Sequence, residues 1–364
     1  MTSNKELLEI YNLSLKDFSK NEKSIIWKRM HNGKVFDNEN NLINFRKNQI
    51  LSEGTDDSQN VPSTNKLKMI ELLEDFDQEF LKKNLPIKNV GNSESALNFL
   101  GFYFDYGIFH HLKWFNEIAE IISKKIKIIC EIGGGYGSLA RIILNNCSSK
   151  YILIDLPETN LLSSFYLKEH FPEKKFYLYK NYLEDPSLSN LQDYDIFILP
   201  PWCSIDESIK IDFFINARSM QEMDKNVIKK YFDLIQRNIS ANGFFLNINR
   251  YYKLVDKEYI CMHEYPYDNK WDVIISKPSH RQHHVHFLLT QRKNENFKNN
   301  IKNEIKKIKI LHDKKRKEIS FKDTFKTSEI KSLTYTISKK ILLLLFSEKT
   351  LKRIAGILNG MTKS

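Results

Sequence analysis

The residues with the clearest chemical meaning lie between Ile128 and Ala140, where the chain reads Ile-Ile-Cys-Glu-Ile-Gly-Gly-Gly-Tyr-Gly-Ser-Leu-Ala. An apolar run ends in Glu131, glycines follow at 133, 134, 135 and 137, and a helical pattern opens at Ser138. Glycine is needed where the backbone takes torsions that other residues resist and where a ligand meets the main chain closely. A second acid, Asp155, closes the next apolar run, Tyr151 to Ile154, 24 residues after Glu131. An acid there suits the two ribose hydroxyls of a nucleoside. A P-loop is excluded, because no Gly-Lys-Ser/Thr closes the turn. A dinucleotide loop counted from Gly133 would need its third glycine where Ser138 stands.

The spacing Glu-x-Gly-x-Gly-x-Gly resembles motif I of the class I S-adenosylmethionine-dependent methyltransferases, whose ligand carries a sulfonium and an α-amino group where NAD carries pyrophosphate. From about Phe45 to Arg292 the chain is similar to a family of bacterial sugar O-methyltransferases. The likeness rests on Glu131-Ile-Gly-Gly-Gly-Tyr-Gly, Ile154-Asp-Leu-Pro-Glu158 and Asn216-Ala-Arg-Ser-Met-Gln-Glu-Met223. It continues in Asn249-Arg-Tyr-Tyr-Lys253, Tyr265-Pro-Tyr-Asp268 with Trp271, and His286 followed by Arg292. The resemblance implies a Rossmann-like domain, S-adenosylmethionine as donor and a sugar hydroxyl as acceptor. It places Glu131, Gly133, Gly134, Gly135, Gly137, Asp155 and Leu156 against the cofactor, with Asn216 and Ser219 facing it from a later loop. The expected protein is a cytoplasmic enzyme acting on a sugar or glycan precursor of a surface polysaccharide. Another small acceptor is the alternative, and a non-catalytic protein that binds the cofactor to support a partner enzyme is the reading from a different class.

O-methylation aligns an acceptor oxygen, a methyl and a leaving sulfur, and a general base helps because a sugar hydroxyl is a poor nucleophile. Glu222, in the loop after the Ile211–Ile215 run, is one candidate base; as a plain surface acid it would only complement a helix dipole. His263 and His286 are the others, weighed against the ordinary fate of a polar or buried hydrogen-bonded strand residue. His284 and His286 share a strand face, yet a metal needs about three ligands and a carboxylate, so no metal is expected. Arg46, Asp56 and Asp57 are expected at the acceptor side. Tyr265, Tyr267 and Trp271 would stack on a sugar ring or else pack in the core. Leu199-Pro-Pro-Trp202 would line the adenine pocket or simply end a strand.

Short apolar runs alternating with helical patterns must position these groups: Ile126–Cys130, Tyr151–Ile154, Phe176–Tyr179, Asp195–Leu199, Ile211–Ile215, Phe244–Ile248 and His284–Thr290 as strands, with helices between them. Asn226–Ile239 reads as a helix stopped by Asn242-Gly243. This order predicts an α/β fold with a mainly parallel central sheet covered on both faces. Before it, residues 1–115 read as a mostly helical cap on the acceptor side, with one amphipathic helix near Leu7–Leu15 and another from Ile70 to Leu81. Residues 116–292 form the catalytic domain and 293–364 a basic helical tail.

The chain has 364 residues with 41% hydrophobic and 28% charged residues, which excludes a wholly disordered protein. The first residues, Met1-Thr-Ser-Asn-Lys-Glu, show no secretory pattern. Cys130, Cys147, Cys203 and Cys261 have no Cys-x-x-Cys spacing, which argues against a disulfide scaffold and a structural zinc site. The net charge of +11 is concentrated in residues 293–364, which hold 19 basic and 7 acidic residues. Nucleic-acid binding is not expected, because no aromatic interleaving accompanies these lysines. The tail reads as a solvated helix or as a peripheral arm on an anionic inner-membrane surface. In the latter reading, Ile337, Ile341, Leu344 and Leu345, then Leu351, Ile354, Ala355 and Leu358, form apolar faces within 333–358.

Overall fold

The computed structural model describes residues 3–18, 38–47, 66–123, 126–188, 190–255 and 257–325. Helices α1 (Asn4–Phe18), α2 (Glu39–Ile43), α3 (Lys66–Glu71) and α4 (Gln78–Asn84) precede a hairpin, β1 (Leu97–Phe99) and β2 (Phe102–Phe104), and a long helix, α5 (Tyr106–Ile122). Next come β3 (Ile128–Ile132), α6 (Ser138–Leu144), β4 (Lys150–Ile154), α7 (Pro157–His170), β5 (Phe176–Tyr177), α8 (Tyr179–Glu184), β6 (Ile196–Leu199) and β7 (Ile211–Ala217). The chain continues through α9 (Lys225–Asn238), β8 (Ile239–Arg250), the hairpin β9 (Tyr252–Val255) and β10 (Glu258–Cys261), then β11 (Trp271–Ser279), β12 (Gln282–Arg292) and α10 (Ile301–Phe325).

Eight strands form one sheet in the order β11-β12-β8-β7-β3-β4-β6-β5. All neighbours from β8 to β5 are parallel, and β12 and β11 fold back antiparallel at one edge. The α/β, mainly parallel class read from the sequence is therefore the one observed. From β3 the chain proceeds outward to β4 and β6, then returns to β3's other side with β7. The glycine segment after β3 thus lies where the strand order reverses, and such a reversal opens a crevice beyond the carboxyl ends of the strands.

Strand alternation divides the core into two layers. Ile129, Tyr151, Leu153, Phe213, Ile215, Leu246 and Ile248 face α5, α6 and α7. Cys130, Ile132, Ile152, Ile154, Phe214 and Phe245 face α9 and the start of α10. Glu131 shares its face with Tyr151, two residues back along the neighbouring strand's register.

The structure corrects three local expectations. The helix expected over Ile70–Leu81 is two short ones, because Asp77 caps the second with its carboxylate accepting from Phe80 N–H at 2.8 Å. Asn242-Gly243 does not stop α9; the helix ends at Asn238, and Asn242, at φ +64°, lies inside β8 where its pairing with β7 shifts register. Strand β11 has no counterpart among the runs read as strands; its Pro278 breaks a strand pattern but is tolerated at the sheet edge. Helix α5 crosses residue 115, where the cap was expected to end. Among the described residues, no helix is long and apolar enough to cross a membrane. The tail segment 333–358, with Asp56 and Asp57, lies outside the described residues.

Candidate functional site

Beyond the ends of β3 and β7 lies a cleft of about 150 Å³. Its floor is the glycine loop with Glu131, one wall is α5 through His111 and Trp114, and the other is the loop after β7 with Arg218, Gln221 and Glu222. Arg250 and Lys253, at the end of β8 and the start of β9, close it. The lining is largely polar and charged.

The loop is held from three sides. Gly133 N–H donates to Ile154 O at 2.8 Å, tying the loop to the end of β4. Gly135, at φ +57°, donates its N–H to Asp155 Oδ2 at 2.8 Å, and Leu156 N–H donates to Oδ1 at 2.8 Å. Asp155 therefore locks the loop and the start of α7. On the third side, Ser219 Oγ and Asn216 Nδ2 both donate to Ile132 O, at 3.0 and 2.8 Å. A Cβ on Gly133 would stand 2.0 Å from Ser219 Oγ, and Gly133 has φ +74°, so this position admits only glycine. Gly134 packs over the Glu131 carboxylate, and Gly137 precedes α6 against Leu167. Asn216 and Ser219, expected to face the cofactor, here brace the loop from behind.

That brace continues as a buried amide network. Asn249 Nδ2 donates to Asn216 Oδ1 at 2.8 Å, Gln221 N–H donates to Asn249 Oδ1 at 3.1 Å, and Asn247 Nδ2 donates to the Tyr267 hydroxyl at 2.9 Å. Asn216, Asn247 and Asn249 are fully buried, so each amide must be paired to offset its desolvation. Arg218 takes the left-handed φ of +69° and donates its N–H to Ile248 O at 2.7 Å, turning the chain so that Glu222 faces the cleft.

The electrostatics centre on two buried acids. Burial raises Glu131 to about 7, against a donated hydrogen bond from the Tyr151 hydroxyl at 2.7 Å and with a further push from Asp155. Burial likewise raises Asp155 to about 6, although the N–H groups of Leu156 and Gly135 pull the other way. Two carboxyls at neighbouring strand ends thus lack a full counter-charge, which a sulfonium and an ammonium group would supply. This donor set and the bare glycine backbone fit S-adenosylmethionine. Across the cleft, burial lowers His111 to about 4, so its imidazole is neutral near pH 7. Glu222 forms an ion pair with Lys253, and both side chains are partly exposed.

Other expected site residues are placed elsewhere. His286 is buried within the sheet; its Nδ1 meets the Tyr251 hydroxyl at 3.0 Å and its Nε2 meets Ser276 Oγ at 2.8 Å. It does not line the cleft, because its strand, β12, is separated from β7 by β8. His263 packs against His312 of α10, with ring centroids 4.7 Å apart. Tyr265, Tyr267 and Trp271 pack around Phe232 and Phe245 at centroid distances of 4.8 to 6.0 Å, as core. Arg46 pairs with Asp105 at the head of α5 and lies 5.2 Å over the Tyr136 ring, bracing the cap against the loop. Trp202 donates Nε1–H to the Tyr179 hydroxyl at 3.0 Å and stacks on Phe18 of α1 at 5.4 Å.

Sequence reasoning missed His111, Trp114, Arg218, Gln221, Arg250 and Lys253 as cleft residues. Four of these, Arg218, Gln221, Arg250 and Lys253, lie inside motifs that carried the family resemblance. His111 and Trp114 are three apart on a helix and hence share a face, a signal present in the sequence.

No protein-family model and no curated protein matches the chain. Among solved structures it is similar to the mitomycin 7-O-methyltransferase MmcR, at 15% identity over 49% of this chain and 53% of that one, with a TM-score of 0.31. It is similar to the pyocyanin biosynthetic protein PhzM at 12% identity over 51% and 56% of the two chains, with a TM-score of 0.32. A protein of the NADB-Rossmann superfamily from Streptococcus agalactiae matches at 11% identity over 67% of this chain and 95% of that one, with a TM-score of 0.35. The chain spans little more than half the length of the first two. Values this low carry no argument about chemistry; the Rossmann-like architecture rests on the strand order itself.

Proposed function

We propose that the protein is an S-adenosylmethionine-dependent O-methyltransferase that methylates a sugar hydroxyl during assembly of a surface glycan. The observation that supports this reading most is the glycine loop at the reversal of strand order, flanked by two undercompensated buried acids. When bound, S-adenosylmethionine supplies an electrophilic methyl group on a positive sulfur.

The chain's own residues would do the rest. Glu131 and the loop N–H groups hold the donor end, and Asp155 keeps the loop in shape. His111, Gln221, Arg250 and Lys253 orient the acceptor and exclude bulk water. Glu222 would take the proton of the acceptor hydroxyl, and S-adenosylmethionine held by Glu131 and the glycine loop would supply the methyl group. Lys253 holds the Glu222 carboxylate at the cleft through their ion pair. His111, neutral at pH 7, is the second group in reach of an acceptor in this cleft. A polar lining with three cationic side chains favours a hydroxyl-rich acceptor bearing negative charge over a flat apolar one.

The test is turnover of S-adenosylmethionine by the purified full chain against a panel of sugars, sugar phosphates and uronic acids, beside flat aromatic phenols. The reading expects product with the sugar set. Turnover confined to the phenols would replace the acceptor, and no turnover with any acceptor, despite cofactor binding, would favour the non-catalytic alternative.

A further inference from the structure

On the sheet face covered by α9 and α10, away from the cleft, three side chains with metal-binding atoms meet. Cys261 ends β10, His263 follows in a single 3₁₀ turn (Met262–Glu264), and His312 arrives from α10. The Cys261 sulfur and one nitrogen of each ring lie within 4.8 Å of one another. Cys261 Sγ stands 3.9 Å from His312 Nε2. Cys261 and His312 are buried, and the His263 side chain is only 11% exposed.

Ordinary packing explains this cluster poorly. His263 Nδ1 is buried with no hydrogen-bond partner, a loss of about 1–3 kcal/mol for a polar group left unsatisfied. Its other nitrogen faces Glu264 Oε1 at 4.0 Å. His312 is oriented from behind: Asp313 Oδ1 lies 2.9 Å from its Nδ1, which leaves Nε2 turned toward the sulfur. A carboxylate on the far nitrogen is the arrangement that fixes the tautomer of metal-ligating imidazoles.

We propose that Cys261, His263 and His312 bind a zinc ion that staples α10 to the segment between β10 and β11. One thiolate and two imidazoles form a borderline-soft set that suits Zn²⁺. With bonds of about 2.3 Å to sulfur and 2.0–2.1 Å to nitrogen, tetrahedral ligand atoms stand roughly 3.3–3.6 Å apart, so side-chain rotations of about an ångström close the site. Binding forms one Zn–S and two Zn–N bonds, the thiol proton leaves to solvent, and water takes the fourth position. Glu264 is engaged by Lys225 at 3.0 Å. The hairpin partner of β10 is β9, which carries Lys253 into the cleft, so the staple also steadies that wall.

The full chain, stripped with a chelator, is titrated with Zn²⁺ alone and separately with Co²⁺ as a spectroscopic substitute. One equivalent should bind, and the Co²⁺ form should show a thiolate charge-transfer band that Cys261→Ser abolishes. His263→Ala and His312→Ala should lose zinc, and zinc should raise the wild-type Tm but not that of Cys261→Ser. Asp313→Asn, at a 56% exposed side chain, should weaken zinc binding about 10–100-fold. A full chain that binds no zinc, or zinc held unchanged by Cys261→Ser, His312→Ala and Asp313→Asn, overturns the proposal.

Discussion

Two regions of this chain carried similar promise as sites, and the fold separates them. The first is the cleft beyond β3 and β7; the second is the wall of β8, β11, β12 and α9, where His286, Tyr265, Tyr267 and Trp271 lie. Both are rich in residues that do chemistry. In the first, the groups sit at carboxyl ends of parallel strands, where chain reversal leaves space. In the second, similar groups point into the space between sheet and helices, which close packing fills. Backbone position, not residue type, decides which set is available to a ligand.

The contrast can be broken by substitution. The largest effect is expected at Gly133→Val, where a side chain would collide with Ser219 and force a branched residue into left-handed torsions. S-adenosylmethionine binding should vanish, read by equilibrium dialysis, whereas a conservative change in the wall such as Tyr265→Phe, which removes a hydroxyl outside the amide network, leaves it intact.

Next comes chemistry. Glu222→Gln should cut turnover by roughly 10²–10⁴-fold while cofactor affinity stays within error. His286→Ala should leave turnover per folded molecule near wild type, its cost appearing as lower stability because Tyr251 and Ser276 lose their shared partner. Stopped-flow turnover beside thermal melts separates the two; the reverse pattern would relocate the base to the wall.

Trp271→Ala should destabilise the chain by about 3–5 kcal/mol, as expected for deleting a fully buried aromatic, with acceptor KM unchanged. Urea titration with parallel steady-state kinetics checks this, and a selective rise in KM would restore Trp271 to the acceptor site.

The smallest effect is a pH slope. Glu131 and Asp155 hold protons in the folded state up to about 7 and about 6, whereas their ordinary values lie near 4.5 and 3.8. Stability from this pair is therefore greatest below about pH 4 and is lost as pH rises through about 7. Glu131→Gln should flatten the upper part of that loss in ligand-free protein, followed by denaturation midpoint against pH.

The central sheet was legible because each strand is a short apolar run closed by a polar residue, and Glu131, Gly133, Gly135 and Asp155 are local to two such ends. Strand β11 was hidden by Pro278, which only an edge position tolerates. His286 misled because alternation gives a side chain's face but not what covers that face. Asn216 and Ser219 were assigned to the right loop but the wrong side of it, since their partner is the Ile132 carbonyl. His111 was missed because α5 precedes the glycine loop and reaches the cleft only by packing across the sheet. Cys261, His263 and His312 come together through a helix whose docking no spacing rule reveals.

Calorimetric titration of the full chain with S-adenosylmethionine tests the central claim most directly, using wild type, Gly135→Val and Asp155→Ala. Wild type should bind at one site. Gly135→Val should show no binding, since valine is strained at the φ of +57° that aims this N–H at Asp155. Asp155→Ala should bind more weakly by about 1–3 kcal/mol, the cost of losing hydrogen bonds to an ionised acceptor. Undiminished affinity in both variants, or no binding by wild type, would contradict the assignment of this cleft to the methyl donor.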